Sequence, residues 1–259
     1  MNRVLFAASL LLGGLLLGAS GVSHARWLFD IMWSAMPNEH SIDDRLAEFG
    51  GQAIARLAPH FAAVEVPFPP AQVSLLAFKD AHVLEVYARA ADGSWRRVRT
   101  YPILTASGSG GPKLREGDKQ VPEGVYPVTL LNPNSRFHVS LRLGYPNAFD
   151  REMAQLDGRT NLGGDIMIHG NALSIGCLAV GDEAAEEFFT LVAAVGLDHV
   201  KVVISPTDFR RSSMMMTAGT LPSWTDKLYR ALASELSQYP SGFLTDVLSN
   251  PVAHGEPHD

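Results

Sequence analysis

Cys177 is the only cysteine in the chain, and His169 stands eight residues before it in the stretch Asp165-Ile166-Met167-Ile168-His169-Gly170-Asn171-Ala172-Leu173-Ser174-Ile175-Gly176-Cys177. A thiol attacks a carbonyl carbon as its thiolate, so it needs a neighbouring base or an electropositive surround. His169, at the end of a short β-rich stretch, can be that base if Ala172–Ile175 forms a tight return. The interval by itself permits either close approach or wide separation. Gly170 and Gly176 stand directly beside the two reactive candidates, where the backbone must turn and a substrate must come close. The consecutive amides of Ile175, Gly176 and Cys177, following Ser174 in the same turn, could converge on an oxyanion. An imidazole base also needs a partner for its second nitrogen. No Asp or Glu separates His169 from Cys177, so a backbone carbonyl is expected there, with Asp165 less well placed along an alternating strand.

Each residue also has an ordinary structural reading. Free cysteines are commonly small buried hydrophobes, and a histidine at a strand end is commonly a hydrogen-bonded structural residue. Ser174 reads as a turn former and lacks the Gly-x-Ser-x-Gly elbow of a serine hydrolase. One cysteine, and no second histidine at ligand spacing, argue against a metal centre. The Met214-Met215-Met216 run fits gap-filling in a core better than copper binding. Lys113, Arg115 and Lys119 read as a solvated loop face, with a clamp for an anionic substrate as the sharper alternative.

The composition sets the background. The chain has 259 residues, 46% hydrophobic and 19% charged, with a net charge of −6. These values fit a folded protein rather than a disordered or fibrous one. They argue against nucleic-acid binding, which needs a basic face to neutralise phosphates. Asn2-Arg3 is followed by an uncharged apolar run from Val4 to Leu17 and by Ser23-His24-Ala25. This is the layout of a secretory signal peptide cleaved after Ala25. The alternative is a retained anchor over Val4–Val22, just within spanning length. No cysteine follows the run as a lipid attachment site. An exported chain with one unpaired thiol is unusual, because oxidising compartments favour paired cysteines.

The elements that must position these residues are legible in part. Ile42, Leu46, Phe49, Ala53, Ile54 and Leu57 approach helical spacing, interrupted by Gly50-Gly51. Pro59 and the cluster Pro67, Pro69 and Pro70 end that pattern and read as a linker. Val73–Lys79, His82–Arg89 and Trp95–Ile103 are β-rich and separated by turn residues, predicting a three-strand meander. A Gly/Ser loop over 106–112 and a charged run from Lys113 to Lys119 follow. Further strands are expected at Val125–Leu131, His138–Leu143, Asp165–Ile168 and His199–Ser205. Asp182 can cap a helix carrying Phe188, Leu191, Val192 and Val195, with Gly196 as its stop and acidic residues in its first turns. Trp224, Leu228, Ala231, Leu232 and Leu236 predict a late amphipathic helix. The chain therefore divides into residues 1–25 as a signal segment, 26–72 as a helical and linker segment, 73–205 as the main body, 206–239 as a helical extension and 240–259 as a loose tail.

The sequence resembles the YkuD-type L,D-transpeptidases, in particular the YafK-like branch. The resemblance rests on His169-Gly170 with Ser174-Ile175-Gly176-Cys177, and on several further stretches. These are Tyr101-Pro102-Ile103, Gly111-Pro112-Lys113-Leu114 with Glu116-Gly117-Asp118, and Pro122-Glu123-Gly124-Val125-Tyr126. Asn132-Pro133-Asn134-Ser135-Arg136, Gly144-Tyr145-Pro146-Asn147-Ala148-Phe149-Asp150-Arg151 and Met167-Ile168-His169-Gly170 complete the set, which spans about residues 73–205. The resemblance implies a mainly β (α+β) fold with a β-sandwich-like core and a few appended helices. It implies an exported cysteine enzyme acting on peptidoglycan stem peptides in the periplasm or cell envelope, with no metal or cofactor. Cys177 would be the nucleophile and His169 the base, oriented by the carbonyl of Gly170. Amides around Gly176-Cys177 would bind the oxyanion, and Lys113, Tyr145, Asn147 and Arg151 would meet substrate. Expected partners are stem peptides and, for a hydrolytic relative, a wall-linked lipoprotein; a membrane is a partner only if the signal segment is retained. The chain departs from the wider family in having Ile175 where His is usual and Ala179 where Arg is usual. Those differences bear on substrate contacts and on the choice of amine or water as acceptor. A hydrolase of the same fold and a non-catalytic wall-binding module are the competing readings.

Overall fold

In the computed structural model, residues 39–174, 176–211 and 221–241 are described. The N-terminal apolar run, Ile175, Met214–Met216 and the chain beyond 241 lie outside the described residues. The expected meander is present as β1 (Val73–Phe78), β2 (Val83–Arg89) and β3 (Trp95–Pro102), paired antiparallel. The remaining strands are β4 (Thr105–Ala106), β5 (Gly124–Ser135), β6 (His138–Leu143), β7 (Met167–His169), β8 (Leu178–Ala179) and β9 (Val200–Ser205). They form one mixed nine-stranded sheet in the order β3-β2-β1-β9-β5-β6-β7-β8-β4. The long strand β5 joins its two halves, pairing β9 through residues 124–127 and β6 through its later residues.

Strand β1 is buried along its whole length. Val73, Leu75 and Ala77 enter one apolar core, while Leu76 and Phe78 enter a second on the opposite face. A strand covered on both faces reads as a continuous apolar run for this reason. The first core is shared by both halves of the sheet and by helices from two parts of the chain. Helix α1 (Ile42–Arg45) passes through a π-helical turn (Leu46–Gly50) into helix α2 (Gly51–Ala63). This helix continues through Gly50-Gly51 and Pro59, where sequence predicted interruption. Phe49, Ala53, Leu57 and Phe61 recur at every fourth position and are all buried. Burying a large apolar side chain contributes about 1.5–3 kcal/mol, which outweighs the cost of about 1 kcal/mol for each helical glycine.

Helix α3 (Ala148–Leu156) starts at Asn147, whose side chain caps it together with Asp150. Helix α4 (Asp182–Val195) lies in the first core with Phe188, Phe189, Leu191 and Val192 buried. Its N-cap is Gly181, which offers no side-chain bond, so Asp182 is the first helical residue rather than the cap. The acidic start of this helix serves specific partners besides the helix dipole. Glu187 is 1% exposed and accepts from Arg56, Arg99 and Tyr101, tying α2 and β3 to α4. The late helix, α5 (Thr225–Leu236), places Leu228, Tyr229, Leu232 and Leu236 in the second core, against Leu76, Tyr87, Trp95 and Val203.

Candidate active site

His169 ends one strand, and Cys177 stands immediately before the strand that pairs with it. β7 ends at His169 and pairs parallel with β8, in the register Ile168↔Leu178 and His169↔Ala179. Neighbouring parallel strands normally need a crossover of a dozen residues or more. Here strands of three and two residues leave only about 7 Å to recover, at about 3.3 Å per residue. The eight residues 170–177 suffice as a tight return, with Asn171 at φ 61° and Gly176 at φ 98°. The return is tied to its frame by hydrogen bonds from Val180 N–H to the His169 carbonyl (3.0 Å) and from Gly181 N–H to the Asn171 carbonyl (3.1 Å). The Asp182 carboxylate accepts from the Asn171 amide at 2.7 Å. Asp182 therefore fixes the corner after His169, a role its capping pattern in the sequence did not suggest.

His169 is 2% exposed. Its Nδ1 lies 2.6 Å from the Gly170 carbonyl oxygen, which can only accept, so Nδ1 carries the proton and Nε2 is left with its lone pair. The ring stacks on Phe137 at 4.8 Å between centroids and 24° between planes. Burial holds the imidazole below its ordinary pKa, partly offset by the bond to Gly170. Asp165 does not orient it: its carboxylate pairs with Arg142 at 2.8 Å.

Cys177 is half-buried and free. Its Sγ lies 3.7 Å from the Asp165 carbonyl oxygen, beside the backbone that leads into β7. Extending the β7–β8 register back by one residue sets Cys177 beside Met167, on the face that carries His169. The two α-carbons are then about 8 Å apart, from a strand spacing of about 4.8 Å and two residues of rise, a span that a thiol and an imidazole can close. Burial pushes the thiol pKa up; the Met167 amide lowers it, the Asp165 charge raises it and the Lys113 cation lowers it. Burial thus disfavours the charged form of each group.

The turn before Cys177 is closed by serine hydroxyls. Ser174 Oγ donates to the Cys177 carbonyl (2.6 Å) and accepts from the Cys177 amide (3.1 Å). The Gly176 amide donates to Ser107 Oγ at 2.5 Å. Both described amides of the expected oxyanion site thus already have acceptors.

The four expected substrate contacts are placed differently from one another. Lys113 is 7% exposed, its ammonium bonded to Asp118 (2.5 Å) and to the Arg115 carbonyl (2.8 Å). Asp118 also accepts from the amides of Leu114, Arg115 and Gln120, so one carboxylate organises the whole charged loop. The base of that loop is held by buried Lys79, which donates to the carbonyls of Gly111 and Val121 and to Glu123. The Tyr145 hydroxyl donates to the Leu162 carbonyl at 3.2 Å, and Asn147 caps α3. Arg151 is exposed and bonds the Pro146 carbonyl. Among the described residues no cluster of three metal-ligating side chains occurs, and no helix is long and apolar enough to cross a membrane.

Three neighbours of the site had no local signal in the sequence: Ser107, Phe137 and Asp182 reach it from 70, 32 and 13 residues along the chain, distances counted from Cys177, His169 and His169.

Comparison with known proteins decides the family. The family described as the YkuD L,D-transpeptidase catalytic domain matches residues 74–204. The chain belongs to this family. A curated relative, "Putative L,D-transpeptidase YafK" of Escherichia coli strain K12, is 35% identical to this L,D-transpeptidase domain over 134 residues. That match covers 50% of this chain and 52% of the relative, so the chain spans about half the length of the curated relatives it matches. Similar solved structures include the helical cell shape determining protein Pgp2 from Campylobacter jejuni, at 26% identity and TM-score 0.43, covering 52% of this chain and 48% of that one. Mycobacterium tuberculosis L,D-transpeptidase 1 is 16% identical with TM-score 0.30, over 52% of this chain and 62% of the other.

Proposed function

We propose that the protein is an exported cysteine acyltransferase of the bacterial cell wall, acting on stem peptides at a carbonyl next to a diaminopimelate residue. Cys177 attacks that carbonyl as its proton passes to Nε2 of His169. The carbonyl π pair moves onto oxygen and a tetrahedral oxyanion forms. Collapse breaks the C–N bond, and the amine leaves with the proton from His169. An incoming amine then attacks the thioester, gives its proton to His169 and releases the thiol. The observation that carries this reading is the 2.6 Å bond between His169 Nδ1 and the Gly170 carbonyl. It fixes the tautomer in which the other ring nitrogen is a base, on the strand beside the one that follows the thiol.

A hydrolase is the second reading, and Ala179 favours it. Most of the family carries Arg there, whereas Ala179 is 0% exposed and pairs with Thr105 and His169 in the ladder. A site without that cation has less to hold an amine acceptor's carboxylate, leaving water as the competitor. Incubation of the purified protein with disaccharide tetrapeptides, with and without added amino-acid acceptor, separates the two by mass spectrometry of the products. Exchange or cross-linked products support the transferase, and free hydrolysis products or release of a peptide from a wall-linked lipoprotein muropeptide support the hydrolase. Unchanged substrates in every arm overturn both and leave a wall-binding module.

A further inference from the structure

We propose that Ser107 is a catalytic residue of this site, its hydroxyl donating a hydrogen bond to the oxyanion of the tetrahedral intermediate. The proposal rests on Cys177 being the nucleophile. Strand β4 pairs antiparallel with β8, Thr105 opposite Ala179 and Ala106 opposite Leu178. One further step brings Ser107 opposite Cys177. The thiol is then flanked by β7 with His169 on one side and by Ser107 on the other.

The hydrogen bonds narrow the choice of donor. An oxyanion needs protons aimed at it from a preorganised frame. The Cys177 amide spends its proton on Ser174 Oγ, and Ser174 spends its own on the Cys177 carbonyl. The Gly176 amide points at Ser107 Oγ from 2.5 Å, which is where an oxyanion bound by that amide would sit. Ser107 is half-buried, and among the described residues its own hydroxyl proton meets no acceptor. An N–H donated into a hydroxyl polarises it and strengthens the bond that it donates in turn. The Gly176 amide thus reaches the substrate oxygen through Ser107. As the thiol adds, the carbonyl pair becomes the oxyanion, and Ser107 holds it by a hydrogen bond without giving up its proton.

The test compares two reactions of the same sulfur. Opening of a carbapenem by Cys177 passes through a tetrahedral oxyanion, whereas alkylation by iodoacetamide is a direct displacement without one. The variants are Ser107→Ala and the isosteric pair Ser107→Thr and Ser107→Val, which differ only in the hydroxyl. In Ser107→Ala and Ser107→Val, acylation should fall about 10²-fold, the usual loss for one oxyanion donor, with alkylation within twofold of the parent. Ser107→Thr should stay within about fivefold of the parent in both reactions. Equal acylation rates for the Thr and Val variants overturn the proposal, because shape alone then suffices. A fall in alkylation that matches the fall in acylation also overturns it, showing that Ser107 merely holds the turn. Faster acylation in Ser107→Ala would show that the hydroxyl obstructs the hole. A parent whose Cys177 accepts iodoacetamide but no carbapenem overturns the nucleophile itself, a failure distinct from one confined to the variants.

Discussion

His169 Nδ1 is bonded to the carbonyl of the residue that follows it, Gly170, at 2.6 Å. The imidazole is therefore oriented by its own backbone, and the carboxylate nearest in sequence, Asp165, is turned away to Arg142. A neutral acceptor fixes the tautomer without raising imidazole basicity as a carboxylate would. Burial, only partly offset by this bond, disfavours the charged imidazole.

His169→Ala should reduce acyl transfer about 10²–10⁴-fold, the usual contribution of a positioned general base, and should also lower the melting temperature, because a buried ring stacked on Phe137 is lost. Single-turnover acylation followed by mass spectrometry reads this directly. His169→Gln should be as slow, since an amide can fill the space but not accept the proton.

The thiol's raised pKa sets a pH dependence. Alkylation of Cys177 should climb through alkaline pH with a midpoint above that of an ordinary thiol. A site holding a thiolate–imidazolium pair would instead plateau at acidic pH. Lys113→Met should move the midpoint further up, because the ammonium favours the thiolate and its removal also leaves Asp118 unpaired. A midpoint that falls in this variant would contradict the assigned sign.

The corner at Gly170 has no room for a side chain. A Cβ there would stand 2.4 Å from Asp182 Oδ1 and 2.9 Å from the Phe137 carbonyl oxygen. Gly170→Ala should cost about 1–3 kcal/mol by overpacking, read as a lowered urea midpoint. Combining it with Asp182→Ala should not restore stability, because the Phe137 contact is backbone.

Much of this was legible in the sequence because it is local. The meander, the helix after Gly181 and the late helix follow from periodicity and turn residues, and the glycines beside His169 and Cys177 mark the return that the chain makes. The continuous helix through Gly50, Gly51 and Pro59 was hidden, since propensity penalises each of those residues and only tertiary burial of Phe49, Ala53, Leu57 and Phe61 outweighs it. The part of the site built by strand pairing was hidden too. Ser107 reads as one serine in a Gly/Ser loop until β4 is laid against β8. Lys113 reads as part of a solvated loop face and Asn147 as a substrate contact, yet one is drawn inward to Asp118 and the other caps α3.

Asp150 links the fold to pH. Burial is the largest influence on its carboxyl, pushing the pKa up to about 6 against the bonds it accepts from Asn147 and Tyr126. The unfolded value is about 3.9, so the folded state holds the proton more tightly. Stability from this group is fully present below about pH 4 and is lost as pH rises to about 6. The loss is on the order of 2–3 kcal/mol at about 1.4 kcal/mol per pKa unit. In urea titrations the stability of Asp150→Asn should depend less steeply on pH than that of the parent, which should lose more stability between pH 4 and 6.5. Identical pH slopes would contradict the burial of an ionising carboxylate.

The central claim is that Cys177 carries the acyl group. Rapid quenching of the protein with a disaccharide tetrapeptide, followed by proteolysis and mass spectrometry, should find the donor acyl mass on the peptide containing Cys177 and nowhere else, absent in Cys177→Ser and strongly reduced in His169→Ala. Turnover of the peptide by Cys177→Ala at the parent rate, or an acyl mass on any other residue, would contradict it.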